Sequence, residues 1–522
     1  MAKLPDAGNH TSPLSFARRR SPVVNALFDV IGFLYPLVLT IVLTPVILHF
    51  VSTEEYGIFA LATVLVSFLG LIDFGMAPVV VRFLSASLAT PDYAEARAVV
   101  GTGVLFFSLV GLIGAFAATA FGTLLVPRIF SLSSGLDDTA AFVMAIAGVG
   151  FFFTALLHPA GAIAGALQRF DVAAVARLVS TSVAAGASVL VLWLGFGVRG
   201  LIVVTALQPA LMLALLVRGG RRLLPTVPLR PAWHPALLRK MLSFSAYSFI
   251  SNFAGSLLFQ LDKFLLGALA NVSLVTYYVV PANLAQRLHG GIRRLVGIAL
   301  PVSTDLHTRG EAEALRRFYV RATRVVALVT VSFAVPAFLF AREILLEWVG
   351  PSFATTSFGT MRLLILTYVA LSLAVLPYYL TLAFGRPQVS AAFNVVAAAI
   401  NIVLIVILIP PYGIIGAAVA YLAATVTVPF LIVFVEHRML ELRPSPWPAL
   451  LGRLAIIGAG QAVACLLLRP LADGLPQLLG VLGLCVAVAP LLALATGYLT
   501  PEDRATIRRL APVQRARAPT PG

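Results

Sequence analysis

The chain is poor in charged residues, and its charge is mostly of one sign. Only 11% of its 522 residues are charged, with 21 Asp and Glu against 37 Lys and Arg. Soluble globular chains carry roughly 25% charged residues. Hydrophobic residues make up 60% of the chain and the mean hydropathy is +0.98. These values exclude an ordinary soluble domain and predict an all-α polytopic membrane protein.

Cysteine is also scarce. The two cysteines, Cys465 and Cys485, lie in apolar runs near the C-terminus, which excludes a disulfide framework or a CxxC metal site. They are interpreted as small buried apolar residues. His158 and His289 have no matching ligands nearby in the sequence and are interpreted as satisfied within helices. We therefore predict no cofactor and no metal site.

The formal net charge of +16 could indicate a nucleic-acid partner, but in a membrane protein it is better explained by topology. We therefore expect no nucleic acid. Fourteen apolar runs are long enough to span a membrane. They lie at about 26–50, 56–81, 99–126, 139–164, 172–196, 198–218, 242–268, 273–301, 323–346, 358–383, 388–411, 413–435, 449–469 and 475–499.

The distribution of charge supports the even number of spans. With both termini in the cytoplasm, the cytoplasmic segments hold 28 of the 37 Lys and Arg. One span more or fewer would reverse the side of every later loop and remove this bias. The sequence therefore predicts about 14 transmembrane helices with both termini cytoplasmic.

Two parts of the chain resemble each other. Arg169 and Arg386, 217 positions apart, each lead from a short turn into a long apolar helix. The GxxG turns that begin at Gly197 and Gly413 are 216 positions apart. Six spans separate the copies, so a parallel duplication of a six-helix lobe is predicted, with chance similarity between apolar helices as the alternative.

The duplication divides the chain into predicted segments. They are a cytoplasmic tail (1–22), an N-lobe of spans one to six (23–218), a basic cytoplasmic linker (219–241), a C-lobe of spans seven to twelve (242–435), spans thirteen and fourteen (436–499) and a second cytoplasmic tail (500–522). The bases of the linker suit the headgroups of anionic membrane lipids, or they act only as a topology anchor.

Spans seven and eight are too polar to be only a lipid-facing wall. On span seven the polar residues recur every three or four positions and so share one helix face, namely Ser245, Ser248, Asn252, Ser256, Gln260 and Lys263. Span eight carries Arg287, Arg293 and Arg294. Arg287 lies about 15 Å from the predicted cytoplasmic end of its span, where an unpartnered charge is costly. The pair is predicted to line a cationic, water-accessible cavity.

Three acids are candidates for coupling to a proton or a sodium ion. Asp29 and Asp73 lie in spans one and two, which run in opposite directions, and Asp262 lies beside the polar face of span seven. An acid within a membrane span is a functional-site hypothesis by default. The alternative is a hydrogen bond that fixes helix packing.

Two motifs carry a resemblance to a known family. Ser52-Thr53-Glu54-Glu55-Tyr56-Gly57, followed by Leu71-Ile72-Asp73-Phe74-Gly75, resembles the opening of the O-antigen and polysaccharide flippases. The run Leu261-Asp262-Lys263-Phe264 resembles the start of their second half. The resemblance covers about residues 23–500. It implies the multidrug, oligosaccharidyl-lipid and polysaccharide exporter superfamily.

The resemblance implies a transporter rather than an enzyme. It implies the cytoplasmic (inner) membrane of a bacterium or archaeon and the movement of an undecaprenyl-pyrophosphate-linked oligosaccharide to the outer leaflet. Other polysaccharide assembly proteins are candidate partners. Related lipid II flippases use arginines near the diphosphate, which implies that role for Arg287, Arg294, Arg293 and Lys263. Ser248, Asn252, Ser256 and Gln260 are the expected contacts of the sugars.

Two other functions compete with this interpretation. A cation-coupled multidrug exporter of the same superfamily needs acids facing its cavity, whereas span eight carries three arginines. A membrane glycosyltransferase or polymerase that acts on the same lipid carrier needs a sizeable outside loop and catalytic acids, whereas every predicted outside connection is short. The identity of the glycan is not encoded in any motif of the chain.

Overall fold

The computed structural model describes residues 22–89, 93–442 and 447–498, and the side chains among them except those of 22–34, 244, 246–259 and 298. Most of this part of the chain is helical, and it contains no β-strand. The chain divides into two compact units, Met1–Thr276 (unit one) and Tyr277–Gly522 (unit two). The prediction of an all-α protein is confirmed.

The described residues of unit one form nine α-helices. They are α1 (Pro22–Phe50), α2 (Thr53–Leu69), α3 (Met76–Ala89), α4 (Tyr93–Ala120), α5 (Val126–Ile129), α6 (Asp137–Ala166), α7 (Phe170–Trp193), α8 (Gly197–Leu223) and α9 (Pro235–Leu269). A 3-10 turn, Gly70–Asp73, follows α2, and a π-helical turn, Phe121–Leu125, joins α4 to α5. Helix α10 (Val272–Leu295) begins in unit one and continues into unit two.

Unit two contains the remaining helices of the described chain. They are α11 (Ala299–Thr308), α12 (Ala312–Leu339), α13 (Ala341–Val349), α14 (Pro351–Thr356), α15 (Phe358–Leu373), α16 (Val375–Ala383), α17 (Pro387–Ala424), α18 (Thr427–Phe434), α19 (Trp447–Leu468) and α20 (Leu475–Ala495). A π-helical turn, Val435–Met439, extends α18.

Helices long and apolar enough to cross a membrane number ten within the described ranges. One of them is the stretch Pro387–Met439, in which Gly413 has non-helical backbone angles and breaks the helix at the predicted turn. Each predicted span corresponds to a helix or to consecutive helices. The chain is therefore a multi-pass membrane protein, and the number fourteen stays a prediction.

The two copies of the predicted repeat have the same backbone turn. The Arg169 N–H donates to the Ala164 carbonyl oxygen and the Arg386 N–H to that of Thr381, both at 2.8 Å. One residue earlier, Gln168 and Gly385 have φ of 55° and 66°. The bonds Val172 to Arg169 and Val389 to Arg386 also match, at 3.2 Å each. Every one of these pairs is offset by 217 residues, which supports the duplication.

The two GxxG turns also match. Gly197 and Gly413 both have φ of 53°, in the left-handed region that favours glycine. The second glycines make close approaches. A Cβ on Gly200 would lie 2.6 Å from the Phe196 Cβ, and one on Gly416 would lie 2.1 Å from the Leu408 carbonyl oxygen.

The predicted linker is shorter and more ordered than its composition suggests. Helix α8 continues to Leu223 and α9 begins at Pro235. Between them, Leu224 and Val227 are buried in the core of unit one. The Ala232 N–H donates to the Gly101 carbonyl oxygen at 3.0 Å, so the segment is fastened to α4.

The last two helices are fixed to α12 by a buried amide. Gln461 of α19 is fully buried, and its Nε2 donates to the carbonyl oxygens of Ser332 in α12 and Cys485 in α20, at 2.8 and 3.0 Å. Cys465 and Cys485 are both buried and unbridged, as predicted. The predicted tails, apart from Pro22, lie outside the described residues.

Candidate functional site

Helix α9 carries the first half of the predicted site. It packs against α2, α3 and α4 of unit one. Gln260 and Lys263 share a face and meet, because the Lys263 Nζ donates to the Gln260 Oε1 at 2.9 Å. Lys263 and Asp262 are both buried, and the Asp262 Oδ1 accepts the Lys263 N–H at 2.9 Å. The side chains of Ser248, Asn252, Ser256 and Asp29 lie outside the described residues.

Helix α10 carries the second half in unit two. Arg287 is half-buried, and Arg293 and Arg294 are exposed. Arg293 makes no ion pair with any residue that the structure describes. Arg287 and Arg294 are seven residues apart and so lie on one face of the helix. The roles of Gln260, Lys263 and these arginines in binding a substrate stay predictions.

His289 lies on the other face of α10, among side chains of α12 and α15. It is buried, with 7% of its surface exposed, and its Nδ1 lies 3.0 Å from the Ser372 Oγ. It borders a small cavity of about 20 Å³ that is also lined by Thr330 and Tyr368. The sequence indicated a satisfied histidine but did not identify the partner, because Ser372 is 83 residues away.

Asp73 lies where span two bends. Its Oδ1 accepts the Gly75 N–H at 2.8 Å, and Phe74 and Gly75 both have positive φ, 51° and 72°. The carboxylate therefore stabilises the break between the 3-10 turn and α3. It also lies within electrostatic range of His158 of α6. A role in ion coupling for Asp73, Asp29 or Asp262 stays a prediction.

A larger cavity lies within unit one, between α2, α6 and α8. It has a volume of about 280 Å³, and no charged side chain lines it in the part of the chain that the structure describes. Its polar lining consists of Thr63, Thr154, Thr205 and Gln208. Sequence reasoning missed these four residues, although mid-span polar residues were the signal used for spans seven and eight.

The polar atoms of this cavity are mainly acceptors. Each threonine hydroxyl donates to a carbonyl oxygen of its own helix, at 2.7 Å for Thr63, 2.9 Å for Thr154 and 2.9 Å for Thr205. The Gln208 Nε2 donates to the Thr181 Oγ1 at 3.2 Å. What remains is oxygen lone pairs and the second N–H of the Gln208 amide. Such a lining suits a ligand that donates hydrogen bonds, such as a sugar hydroxyl, and has no positive charge for a phosphate.

Local contacts explain which residues occur in the flippase-like motif at the start of α2. Ser52 and Glu55 form a capping box, with the Glu55 N–H on the Ser52 Oγ at 3.2 Å and the Ser52 N–H on the Glu55 Oε2 at 2.9 Å. Glu54 accepts from the N–H and the hydroxyl of Ser133, at 2.7 and 2.6 Å. A Cβ on Gly57 would lie 2.3 Å from the Val272 carbonyl oxygen, so glycine is required there.

Comparison with known sequences places the chain in a family. The sequence profile of the family described as polysaccharide biosynthesis protein matches residues 46–357, more than half of the chain. Over 406 residues the chain is 21% identical to a Shigella flexneri protein named as an O-antigen transporter, covering 77% of this chain and 94% of that one. Over 399 residues it is 24% identical to the membrane protein EpsK of Bacillus subtilis, covering 74% and 77%.

Comparison with solved structures shows the fold. The lipid II flippase MurJ in an inward closed conformation has a TM-score of 0.70 at 14% identity, covering 92% of this chain and 100% of that one. An inward-facing multidrug resistance MATE transporter of the MOP superfamily has a TM-score of 0.61 at 13% identity, covering 83% and 99%. The chain therefore belongs to the polysaccharide biosynthesis protein family and has the fold of these two transporters.

Proposed function

We propose that the protein is a flippase that moves a polyprenyl-diphosphate-linked oligosaccharide, of the undecaprenyl type, across the cytoplasmic membrane of its cell. The observation that carries the proposal is the set of three arginines on α10. Arg287 is half-buried within a span, while Arg293 and Arg294 are exposed on the same helix. Guanidinium groups bind phosphate oxygens with two parallel hydrogen bonds, which suits a diphosphate.

The cavity of unit one supports the oligosaccharide part of this substrate. Its oxygen acceptors and neutral lining suit hydroxyl donors. A diphosphate would find no positive charge among the described residues of that lining. The two chemistries of a lipid-linked glycan, anionic and polyhydroxylic, thus correspond to two separate sets of residues. The names of the Shigella relative and of MurJ, an O-antigen transporter and a lipid II flippase, agree with such a substrate.

The rival function is the export of cationic drugs. It requires acids at the binding surface, and among the described residues no acid lines the cavity of unit one. An enzyme that acts on the lipid-linked glycan is the more distant alternative. A purified sample and a defined lipid-linked saccharide distinguish these functions. A drug exporter would not translocate the saccharide, and an enzyme would change it chemically.

The test is translocation of a fluorescent polyprenyl-diphosphate saccharide in proteoliposomes, followed by quenching from outside. We expect Arg287→Ala to lower the initial rate by about tenfold to hundredfold, since charge-assisted hydrogen bonds contribute about 1.5–3 kcal/mol each. Arg287→Lys should lose most of the same activity, because an ammonium lacks the planar fork. Full activity in Arg287→Ala would refute the proposal.

Arg362 is the matched control, because it is an arginine of the same unit with internal partners. Its Nε donates to the Phe338 carbonyl oxygen at 3.0 Å, and its guanidinium lies 5.2 and 5.6 Å from the rings of Phe338 and Phe358. Arg362→Lys should lower the unfolding temperature while leaving the translocation rate per folded molecule unchanged.

Ion coupling is tested separately at Asp73. Asp73→Asn retains an oxygen acceptor for the Gly75 N–H, so the bend in span two should persist. If the charge couples transport to an ion gradient, Asp73→Asn slows gradient-driven translocation without lowering the unfolding temperature. A normal rate in both Asp73→Asn and Asp29→Asn would remove these acids from the mechanism.

A further inference from the structure

The segment that joins α8 to α9 is held against unit one by buried contacts. Leu224 and Val227 belong to the core of unit one. The Ala232 N–H donates to the Gly101 carbonyl oxygen at 3.0 Å. A Cβ on Gly101 would lie 2.7 Å from the Ala232 Cβ, so the segment lies directly on α4. The exposed side chains of the segment are therefore carried by an ordered backbone.

The bases of this segment are exposed, and the sequence from Val217 to Met241 contains no acid. The six bases, here called the linker bases, are Arg218, Arg221, Arg222, Arg230, Arg239 and Lys240. None of them makes an ion pair with a residue that the structure describes. Asp171, an acid at the start of the neighbouring helix α7, is already bonded to Arg169 through both of its oxygens. The linker bases therefore present positive charge to a partner outside the chain.

Trp233 lies among the linker bases in the sequence and is 63% exposed. The preceding residue, Ala232, is bonded to Gly101, which lies near the beginning of the apolar run of α4. On α8, the first linker base, Arg218, follows directly after the apolar stretch that ends at Val217. Trp233 and the bases thus lie where the apolar part of unit one ends. Tryptophan is enriched at this level of membrane proteins, beside the lipid headgroups.

A second exposed tryptophan has different surroundings. Trp193, at the end of α7, is 72% exposed. Between Arg177 and Arg218 the sequence contains one base, Arg199. Its Nε and Nη2 both donate to the Thr139 Oγ1, at 3.3 and 3.0 Å. Trp193 is therefore an exposed tryptophan without a cluster of bases beside it in the chain.

We propose that Trp233 and the linker bases form a binding surface for the headgroups of anionic phospholipids. The guanidinium and ammonium groups bind the lipid phosphate with charge-assisted hydrogen bonds, and the indole packs at the headgroup level. Clustered bases at a membrane surface attract anionic lipids. A topology anchor also needs the bases, but it needs neither an ordered backbone nor an exposed tryptophan. The inference is independent of the proposed function, since no lipid-linked glycan takes part.

The experiment measures how brominated phospholipids quench tryptophan fluorescence. The full-length protein is placed in phosphatidylcholine nanodiscs with a minor fraction of brominated phosphatidylglycerol or of brominated phosphatidylcholine. The two brominated lipids carry bromine at the same acyl positions and differ in the charge of the headgroup. We call the stronger quenching by the anionic lipid the anionic excess. It should fall at about 1 M salt, where the Debye length is about 3 Å.

Two tryptophan variants locate the anionic excess. Trp233→Phe should remove it, because the indole beside the linker bases is lost. The part of the quenching that disappears in this variant should be about twofold larger with the anionic lipid than with the zwitterionic one. Trp193→Phe is the matched control, since it removes an equally exposed indole. It should lower the quenching by both lipids and leave the excess unchanged.

The contribution of the bases is tested by removing two of them. Arg230→Gln combined with Arg239→Gln should lower the anionic excess by about half, because the attraction depends on the number of bases. The matched control combines Arg309→Gln with Arg317→Gln. Both of these arginines are exposed, but they are paired with Asp305 and Glu313. This double variant should keep the full excess.

Equal quenching by the two brominated lipids in the unmodified protein overturns the inference and leaves the linker bases with a topological role alone. An excess that survives in Trp233→Phe places the anionic lipid elsewhere, and an excess unchanged in the Arg230 and Arg239 variant excludes the bases. Either result also overturns the inference. If that variant does not enter the membrane, Arg221→Gln combined with Arg222→Gln serves instead, with the same expected loss.

Discussion

The two units contain the same turns but different chemistry. The backbone at Gln168-Arg169 is repeated at Gly385-Arg386 with the same hydrogen bonds, 217 residues later. The polar residues described in the two interiors differ. Unit one holds a neutral cavity lined by acceptors, and unit two holds a helix with three arginines and a buried histidine. In the predicted duplication, the positions where the backbone bends match, whereas the chemistry of the two interiors differs.

The largest expected effect on stability comes from replacing the second glycine of a GxxG turn by alanine. Gly416→Ala places a Cβ 2.1 Å from the Leu408 carbonyl oxygen, whereas Gly200→Ala places one 2.6 Å from the Phe196 Cβ. We expect Gly416→Ala to cost about 3 kcal/mol, because the obstacle is backbone and the turn has to open, and Gly200→Ala to cost less. Unfolding temperatures measured by intrinsic fluorescence would rank the two.

The control for this pair is Gly359→Ala in α15. A Cβ there meets nothing within 4 Å, so the change should be neutral or raise stability by about 0.5–1 kcal/mol. If Gly416→Ala unfolds at the same temperature as Gly359→Ala, the second glycine of the turn has no steric role.

The second effect tests the difference between the two interiors. Thr205→Val removes an acceptor from the cavity of unit one without changing the side-chain shape. If the cavity binds glycan hydroxyls, translocation of the lipid-linked saccharide should fall by about fivefold, since a neutral hydrogen bond contributes about 1 kcal/mol. Arg287→Ala should have the larger effect. The measurement is the same quenching assay in proteoliposomes, at equal protein content.

Thr367→Val is the comparison for Thr205→Val. Thr367 is buried, and its hydroxyl donates to the Leu363 carbonyl oxygen at 2.9 Å, but it does not line the cavity. Its variant should translocate the substrate at the normal rate. An equal loss in both variants would indicate a general effect on helix packing and would remove the cavity from the substrate path.

Local features of the fold could be predicted from the sequence, because they depend on neighbouring residues. The apolar runs located the helices, and the turn at Gly413 was placed correctly because glycine in a GxxG motif marks it. The partners of polar side chains could not be predicted. Gln260 and Lys263 were assigned to one face, but that they bond to each other was not foreseen. Ser372 and His289 meet only through the packing of α15 on α10, which no local pattern encodes.

The third effect comes from changing the residue at the left-handed position of each repeat turn. Gln168 and Gly385 occupy equivalent left-handed positions, with φ of 55° and 66°. Gly385→Ala should cost about 1 kcal/mol, because an L-residue is strained there. Gln168→Gly should relieve that strain but raise the conformational entropy of the unfolded chain. The net gain in folding stability should be at most about 0.5 kcal/mol. If the two substitutions change the unfolding temperature in opposite directions, the turns are equivalent. Changes in the same direction argue against it.

The smallest effect concerns the one ionic difference between the same turns. In the first copy the Arg169 Nε and Nη2 bond to the two oxygens of Asp171 at 2.9 and 3.0 Å, which raises the pKa of the guanidinium. In the second copy, Arg386 is followed at the equivalent position by Gln388, and both are exposed. The ion pair is therefore an addition to a turn that forms without it.

Exchanging Asp171 and Gln388 measures how much the ion pair contributes to the stability of the turn. The side chains of Arg169 and Asp171 are 29% and 11% exposed, so Asp171→Gln should cost about 1 kcal/mol, less than a fully buried pair would. Gln388→Asp creates the pair at an exposed position and should add at most about 0.5 kcal/mol. Salt distinguishes the two, because at about 1 M ionic strength the Debye length is about 3 Å and the exposed pair is screened. The gain from Gln388→Asp should then vanish while most of the loss from Asp171→Gln remains. If both effects disappear in salt, the Arg169–Asp171 pair is as solvated as its exposed counterpart, and its partial burial contributes nothing to the stability of the turn.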